Sequence, residues 1–460
     1  MKTPRAPEFF TLAFGLFLGL CLWKFGNPVI LDPKISVPVT AAEYFNVPWP
    51  PHWAGWLLLP LVIFGAGVAL QNKIPRPQFS WLGLLPLAWL GWQFLAAGPT
   101  VDADLTTATL WQFSGVVACY FLGRLVFARD ARWRWLLPGL LAVFAFSLVR
   151  GVDQRLFEFP QDGQLLAEGE RCGWTNFPPE TVAQMKADNL ILTTNGADVA
   201  NPVILAKFKN ARVYGTLVYP NALAGIILLL GPVTLALAFG ATKKLKPPIR
   251  LAAIALTLFL IGAAFFWTGS KLGWLLGLAV AGLFLLRLNG SWKFKLAAVA
   301  TVLILGLGVF TIRFQHYFAT GAHSTAARLD YWRAAAQTTA AHPLFGTGPG
   351  TFQRPYAQIK SPDSEMARLA HNDYLEQFSD SGLIGGLTYA AWIFLALAAA
   401  GKKLWRHGDA LTFALFAGLL GWFAQGFGEF GLFIPALAWP AFTLLGALQN
   451  PAEGAMPGQK

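Results

Sequence analysis

Three polar stretches of this chain carry side chains able to do chemistry. The first is Ala370-His371-Asn372-Asp373-Tyr374-Leu375-Glu376-Gln377, running into Ser381-Gly382-Leu383-Ile384-Gly385-Gly386-Leu387. Imidazole is the side chain whose unperturbed pKa lies nearest neutrality. A histidine here can take a proton from a sugar hydroxyl or, when charged, bind pyrophosphate. Read as a helix over 364–380, the stretch sets Arg368, His371 and Leu375 along one side, with Tyr374 and Phe378 close by. Alone, it fits an interfacial histidine satisfied by a backbone carbonyl better than a catalytic one.

The second set is cationic. Arg212 directly precedes the segment opening Tyr214-Gly215-Thr216-Leu217-Val218-Tyr219-Pro220-Asn221, and Arg328 and Arg333 flank Asp330, Tyr331 and Trp332. Guanidinium is always charged and bonds phosphate oxygens in a bidentate fork. The competing role for each is snorkelling to anionic headgroups. The third stretch is Thr268-Gly269-Ser270-Lys271-Leu272-Gly273, a tight turn between two apolar segments. A lysine so close to a bilayer tends to have a function.

Two further motifs are weaker. Gly346-Thr347-Gly348-Pro349-Gly350-Thr351-Phe352 looks like a phosphate-cradling loop, but it lacks the Gly-Lys-Ser/Thr ending and a strand–helix setting. A turn that packs its loop against the rest of the chain is the better reading. His316, His323, His342 and His371 have neither metal-ligand spacing nor a nearby carboxylate cluster, so no metal and no cofactor is expected.

The elements that must position these groups are apolar helices. Hydrophobic residues make up 55% of the 460, charged residues only 13%, and the mean hydropathy is +0.50. A soluble enzyme carries about a quarter charged residues. Helix-length apolar segments occur near 9–24, 53–70, 79–97, 106–127, 133–149, 216–240, 250–268, 270–288, 293–313, 381–400, 409–427 and 431–448. Open sheet edges cannot face lipid. The expectation is therefore an all-α polytopic membrane protein of about twelve transmembrane helices.

Net charge is +12, but the basic residues are spread between apolar segments rather than gathered in one patch. That pattern excludes a nucleic-acid partner and fits membrane topology, with an anionic lipid or pyrophosphate ligand. Alternate short loops hold the cations: Lys2 and Arg5; Lys73 and Arg76; Arg124, Arg129, Arg132 and Arg134; Lys243, Lys244, Lys246 and Arg250; Arg287, Lys293 and Lys295; Lys402, Lys403 and Arg406. The opposite short loops hold Asp32, Lys34 and Glu43; Asp102 and Asp104; Lys271; and Glu429. The positive-inside rule then puts both termini in the cytoplasm and the polar stretches outside.

The chain divides into spans 1–5 (1–149), an extracytoplasmic loop (150–215), spans 6–9 (216–313), a partly helical extracytoplasmic loop between spans 9 and 10 (314–380), and spans 10–12 with a cytoplasmic tail (381–460). The later loop has helical stretches near 326–341 and 363–380. The first span reads as uncleaved, since no small-residue cleavage pattern follows Trp23. Cys21 and Cys119 lie in apolar segments and Cys172 stands alone in a polar loop, so no disulfide framework is implied.

Five separated strings together resemble the O-antigen ligase / O-antigen polymerase family of bacterial membrane glycosyltransferases. They are Arg212-Val213-Tyr214-Gly215-Thr216 with Pro220-Asn221-Ala222-Leu223-Ala224; Thr268-Gly269-Ser270-Lys271; Arg328-Leu329-Asp330-Tyr331-Trp332; His342-Pro343-Leu344-Phe345 with the glycine turn after it; and the His371 stretch. The resemblance covers roughly 205–390. It implies a GT-C-like helical fold in the bacterial inner membrane, with a periplasmic active site. The implied donor is a glycan on undecaprenyl pyrophosphate. The implied acceptor is a lipid A–core sugar (ligase), another lipid-linked glycan (polymerase) or a protein hydroxyl (oligosaccharyltransferase).

By this resemblance His371 matches the family's loop histidine and Arg212 the arginine ahead of the Pro-Asn segment. Lys271 stands where many members carry arginine, which trades a fork for a point charge. The expected scheme has Arg212 and His371 as catalytic residues. Lys271, Arg328, Arg368, Asn221, Asn372 and Tyr374 contact substrate, in a metal-independent, inverting, single displacement. The competing class is a polyprenyl-glycan transporter or flippase. Such a protein would place ionisable residues near mid-span, whereas here they gather at segment ends.

Overall fold

The structure is a computed structural model that describes residues 6–71, 81–194, 196–362 and 364–449. Lys2, Arg5, Lys73, Arg76 and the first residues of the 79–97 segment lie outside the described residues. The first part of the chain forms α1 (Ala6–Lys24), α2 (Ala41–Asn46), α3 (Pro51–Gln71), α4 (Leu85–Ala96), α5 (Ala103–Leu122) and α6 (Leu137–Asp153). Next come α7 (Phe159–Arg171), α8 (Pro179–Ala187), β1 (Ile191–Thr194), β2 (Ala197–Ala200) and α9 (Pro202–Asn210). Four long helices follow: α10 (Pro220–Ala241), α11 (Pro247–Thr268), α12 (Lys271–Arg287) and α13 (Trp292–Ala319). The chain ends with α14 (His323–Ala341), α15 (Gln353–Ile359), α16 (Asp373–His407), α17 (Ala410–Gln425) and α18 (Pro435–Ala447).

Each of the twelve apolar segments coincides with a helix. Seven described helices are long and apolar enough to cross a membrane: α1, α3, α5, α10, α11, α13 and α16, while α17 and α18 are shorter apolar helices. The remaining three, α4, α6 and α12, have 12, 17 and 17 residues. At about 1.5 Å per residue they reach roughly 18–26 Å, short of a hydrocarbon core about 30 Å thick. The chain is thus an all-α multi-pass membrane protein in which seven helices meet the length for a full crossing.

Lipid, rather than protein, must cover much of this surface. The apolar stretches of α11 and α13 have a mean hydropathy of 2.2, and almost none of their residues are buried. Apolar surface of that extent is not stable in water. The interior is instead close-packed through small residues, which let helix backbones approach. A Cβ added at Gly418 would fall 2.2 Å from the Leu229 carbonyl oxygen, fixing α17 against α10. One added at Gly446 would fall 2.0 Å from the Tyr120 oxygen, fixing α18 against α5.

Two expectations are corrected. The segment 150–215 is not a plain loop: it holds helices and one short hairpin within an otherwise helical chain. α6 runs on through a π-turn at Gln154–Glu158 into α7, and β1 pairs antiparallel with β2 in the register Ile191 to Ala200. Leu166, Trp174, Met185, Ile191 and Ala200 give this unit its own small core. A short hairpin is possible here because it packs on helices rather than facing lipid.

The stretch 364–372 is also not helical. Asn372 is the N-cap of α16: its side-chain oxygen accepts the Tyr374 and Leu375 N–H groups at 3.1 and 3.0 Å. His371, just before it, takes a left-handed backbone with φ of 51°. The cap starts the helix at Asp373, so Arg368, His371 and Leu375 do not share a helical face.

Within α16, Ser381 and Gly382 leave helical geometry, Gly382 with φ of 69°. The glycine turn docks on this kink. Gly348 N–H donates to the Asp380 carbonyl at 2.8 Å, Gly350 N–H to the Asp380 carboxylate at 2.7 Å, and Leu383 N–H to the Pro343 carbonyl at 2.8 Å. The same turn meets the α4–α5 connection, where Val101 N–H donates to Thr347 O at 2.9 Å. The turn therefore anchors the 314–380 segment to the bundle.

Candidate active site

Four chain segments meet at one end of the bundle. The α9–α10 connection brings Arg212, and the α11–α12 turn brings Lys271. α14 brings Arg328, and the link into α16 brings His371. Each is held by local structure. α11 ends in Gly269, whose left-handed backbone (φ 59°) reverses the chain, and Ser270 caps α12 by accepting Gly273 N–H at 3.2 Å. Arg212 lies across that turn. Its Nε donates to Thr268 O at 2.7 Å, and its Nη2 donates to Asn221 Oδ1 at 2.9 Å. A Cβ at Gly269 would come within 3.1 Å of Arg212 Nε, so a residue without a side chain suits both the turn and the contact.

The hub of the site is Glu429, in the Gly426–Gly431 connection between α17 and α18. Its side chain is 4% exposed. Oε1 accepts Arg328 Nη2 at 2.5 Å and Asn221 Nδ2 at 2.7 Å. Oε2 faces His371 Nδ1 at 3.7 Å, too long for a hydrogen bond, and both atoms are buried without another partner. The His371 ring is sandwiched by aromatic groups. It meets Phe430 edge-on at 4.6 Å and lies roughly parallel to Tyr331 at 5.9 Å. Phe430 in turn stacks on Tyr219 at 5.0 Å.

Asp373 clasps the two segments that carry His371 and Glu429. Its N–H is shared between Gly426 O at 2.7 Å and Glu429 O at 3.1 Å, and its carboxylate accepts Leu432 N–H at 3.2 Å. A second carboxylate steadies the other side. Glu376 Oε2 accepts the N–H of Ala370, one residue before His371, at 2.9 Å.

The electrostatics are lopsided. Arg212, Lys271, Arg313 and Arg328 lie close enough to repel one another, and Glu429 is the carboxylate that pairs with Arg328. Burial draws the Arg212 pKa down; Glu429 opposes that, while Arg328 and Arg313 add to it. Lys271 has no ion pair among the described residues. Its ammonium stands 3.7 Å over the Tyr317 ring and 5.2 Å from that of Phe314. Arg313 lies over Phe266 at 5.3 Å. The four cations lie near one another with one carboxylate beside Arg212 and Arg328, so the site carries net positive charge, the pattern that attracts a multiply charged anion.

Other expected substrate contacts fall differently. Asn372 spends its side-chain oxygen on the helix cap. Tyr374 is turned away: its hydroxyl donates to Phe423 O at 3.0 Å, and its ring stacks on Phe427 at 4.3 Å. Arg368 is half-buried and makes no ion pair among the described residues. Asn221 links Arg212 to Glu429 rather than standing free.

Comparison with known proteins gives one positive finding. Residues 256–390 match the family model described as O-Antigen ligase. Over that region the chain is similar to the O-antigen ligase/polymerase family, in line with the resemblance of its separated strings. The matched region contains Lys271, Arg313, Arg328 and His371, whereas Arg212 and Glu429 lie on either side of it. No curated protein matches the chain. The family consists of membrane glycosyltransferase-like enzymes, which use lipid-linked glycans and acceptors as partners.

Sequence reading passed over Glu429, Arg313 and Phe430. One signal for Glu429 was present: a lone acid in Gly426-Phe427-Gly428-Glu429-Phe430-Gly431, between two apolar helices, needs a partner. Nothing in the sequence named which partner.

Proposed function

We propose that this chain is an O-antigen ligase-like glycosyltransferase acting at the periplasmic face of the bacterial inner membrane. It moves a glycan from undecaprenyl pyrophosphate to an acceptor hydroxyl, with inversion at the anomeric carbon and without a metal. The observation that carries the reading is the cluster of Arg212, Lys271, Arg313 and Arg328, with Glu429 beside Arg212 and Arg328 and its other oxygen facing the Nδ1 of His371.

The chemistry follows from charge and position. The acceptor oxygen attacks the anomeric carbon as the bond from that carbon to the pyrophosphate oxygen breaks, and the bonding pair leaves with the pyrophosphate. Arg212 and Lys271, with Arg328, neutralise the charge that builds on the leaving group. His371 accepts the acceptor's proton. Its Nδ1 is buried toward Glu429 while the ring is 30% exposed, so the accessible edge is the one that meets the acceptor. Glu429 positions the ring and stabilises the imidazolium that forms.

The test is transfer by purified protein in detergent, from a lipid-pyrophosphate glycan to an acceptor, with the product anomer read by NMR. His371→Ala should lower transfer about 10²–10⁴-fold, the usual span for a general base. Its folding, followed by size-exclusion profile, should be unchanged. Near-normal transfer by that variant would remove the catalytic role. Movement that needs a sealed membrane would indicate a transporter instead.

A further inference from the structure

Glu376 and Asp380 are fully buried in the opening turns of α16, ahead of its kink. They stand at positions i and i+4, so their side chains share one helix face. Each carboxyl has one oxygen in use. Glu376 Oε2 accepts the Ala370 N–H at 2.9 Å, and Asp380 Oδ2 accepts the Gly350 N–H at 2.7 Å. The second oxygens, Glu376 Oε1 and Asp380 Oδ1, are buried and have no partner among the described residues.

Two ionised carboxyls are not stable in that arrangement. Like charges side by side away from water force one of them to keep its proton. The charges that bear on Glu376 are those of Asp380 and Asp373, both acidic. Neither Glu376 nor Asp380 has an ion pair among the described residues. Thr109, which α5 sets against Gly350, also carries a buried hydroxyl without a partner. A hydroxyl can donate to one carboxylate, but it leaves the second charge in place. A proton between Oε1 and Oδ1 satisfies both oxygens and removes one charge. It also leaves Oε2 and Oδ2 to the N–H groups they already hold.

We propose that Glu376 and Asp380 share one proton, and that this bond makes them positioning residues for His371. Through Ala370 the pair fixes the residue just before His371. Through Gly350 it holds the glycine turn that anchors the 314–380 segment. The two supports of that segment therefore act as one. The shared proton is independent of the reaction, whereas its bearing on turnover rests on the transferase reading above.

Infrared difference spectra of the full-length protein in detergent, taken in H2O and in D2O, read the proton through the stretch of a protonated carboxyl. Glu376→Gln and Asp380→Asn keep the shape of each side chain and put an amide N–H where the proton lies. Each should remove the same carboxyl band, and the double variant should remove no more. A loss that doubles in the double variant would mean two neutral acids, and no loss in any variant would mean two charges. Either outcome overturns the proposal.

Hydrogen exchange reads the coupling. Glu376→Ala should speed exchange in 346–352, to which Glu376 makes no hydrogen bond among the described residues, while Glu376→Gln should not. A change confined to 366–371 would overturn the positioning role. In the transfer assay, kcat should fall up to about 10²-fold for Glu376→Ala with donor KM held, and Glu376→Gln should restore most of it. Equal losses from the two substitutions would overturn that role as well. Absence of transfer by the unsubstituted protein would reject the transferase reading alone, and the infrared and exchange results would still decide the shared proton.

Discussion

His371 Nδ1 and Glu429 Oε2 face one another across 3.7 Å, and neither atom has a hydrogen-bond partner among the described residues. A shift of under 1 Å would close this gap to a hydrogen bond. Glu429 would then fix the tautomer that leaves the other ring nitrogen free to accept a proton. It also holds Arg328, so one carboxylate links the acceptor side of the site to the donor side.

Glu429→Gln should therefore impair turnover more than donor binding. The amide can still accept bonds from Arg328 and Asn221 but cannot stabilise an imidazolium. We expect kcat to fall about 10²–10³-fold, comparable with removing one preorganised electrostatic group. KM for donor should move little, and Glu429→Asp should recover part of the rate. Steady-state kinetics at saturating acceptor measure the split; a pure KM effect would contradict the positioning role.

Lys271 should act on the donor. Because it has no ion pair to satisfy, Lys271→Ala leaves no orphaned buried carboxylate and should fold normally. Donor KM should rise about tenfold, the value of one modest charge–phosphate contact, and Lys271→Arg should restore it. Arg212→Lys should fare worse, because a point charge cannot reach Thr268 O and Asn221 Oδ1 together. Isothermal titration with a lipid pyrophosphate separates these outcomes.

The tie between Asp102 and Arg354 should give a pH signature. Burial pushes the Asp102 carboxyl up, but the Leu105 N–H and Arg354 outweigh it and hold its pKa below the ordinary value. A carboxylate depressed in the fold contributes stability above its unfolded pKa and loses it as pH falls through the folded value. Asp102→Asn keeps the α5 cap but loses the ion pair. Its deficit in thermal midpoint should stay constant from neutral pH down to about pH 4 and shrink below that. A deficit independent of acid would show that the ion pair contributes nothing.

Gly382→Ala probes the kink. At φ of 69°, with a Cβ only 2.1 Å from Leu344 O, the substituted residue must move backbone. The cost should be at least about 1–3 kcal/mol, seen as a lowered unfolding temperature. Because the glycine turn docks on this kink, transfer should fall as well. An alanine variant as stable as the parent would mean that the kink relaxes freely.

Much of the architecture is written in the sequence because the bilayer imposes simple rules. Apolar segments of helix length can only become helices there, and each of the twelve did. The chemistry-bearing types were legible too: His371, Arg212, Lys271 and Arg328 stand out against lipid-facing carbon. Their surroundings were not legible. The helical reading of 364–380 failed because Asn372 caps α16 and sends His371 into a left-handed turn, a choice made by side-chain bonding rather than periodicity. The hairpin of 191–200 was missed because four-residue strands carry little pattern. Glu429 was seen only as one more loop acid, since its partners at 221, 328 and 371 come from three distant segments. Sequence determined which groups could bind an anion and move a proton. Only the tertiary structure decided that one buried carboxylate gathers Asn221, Arg328 and His371, because pairing a charge inside a bundle depends on which helix ends meet.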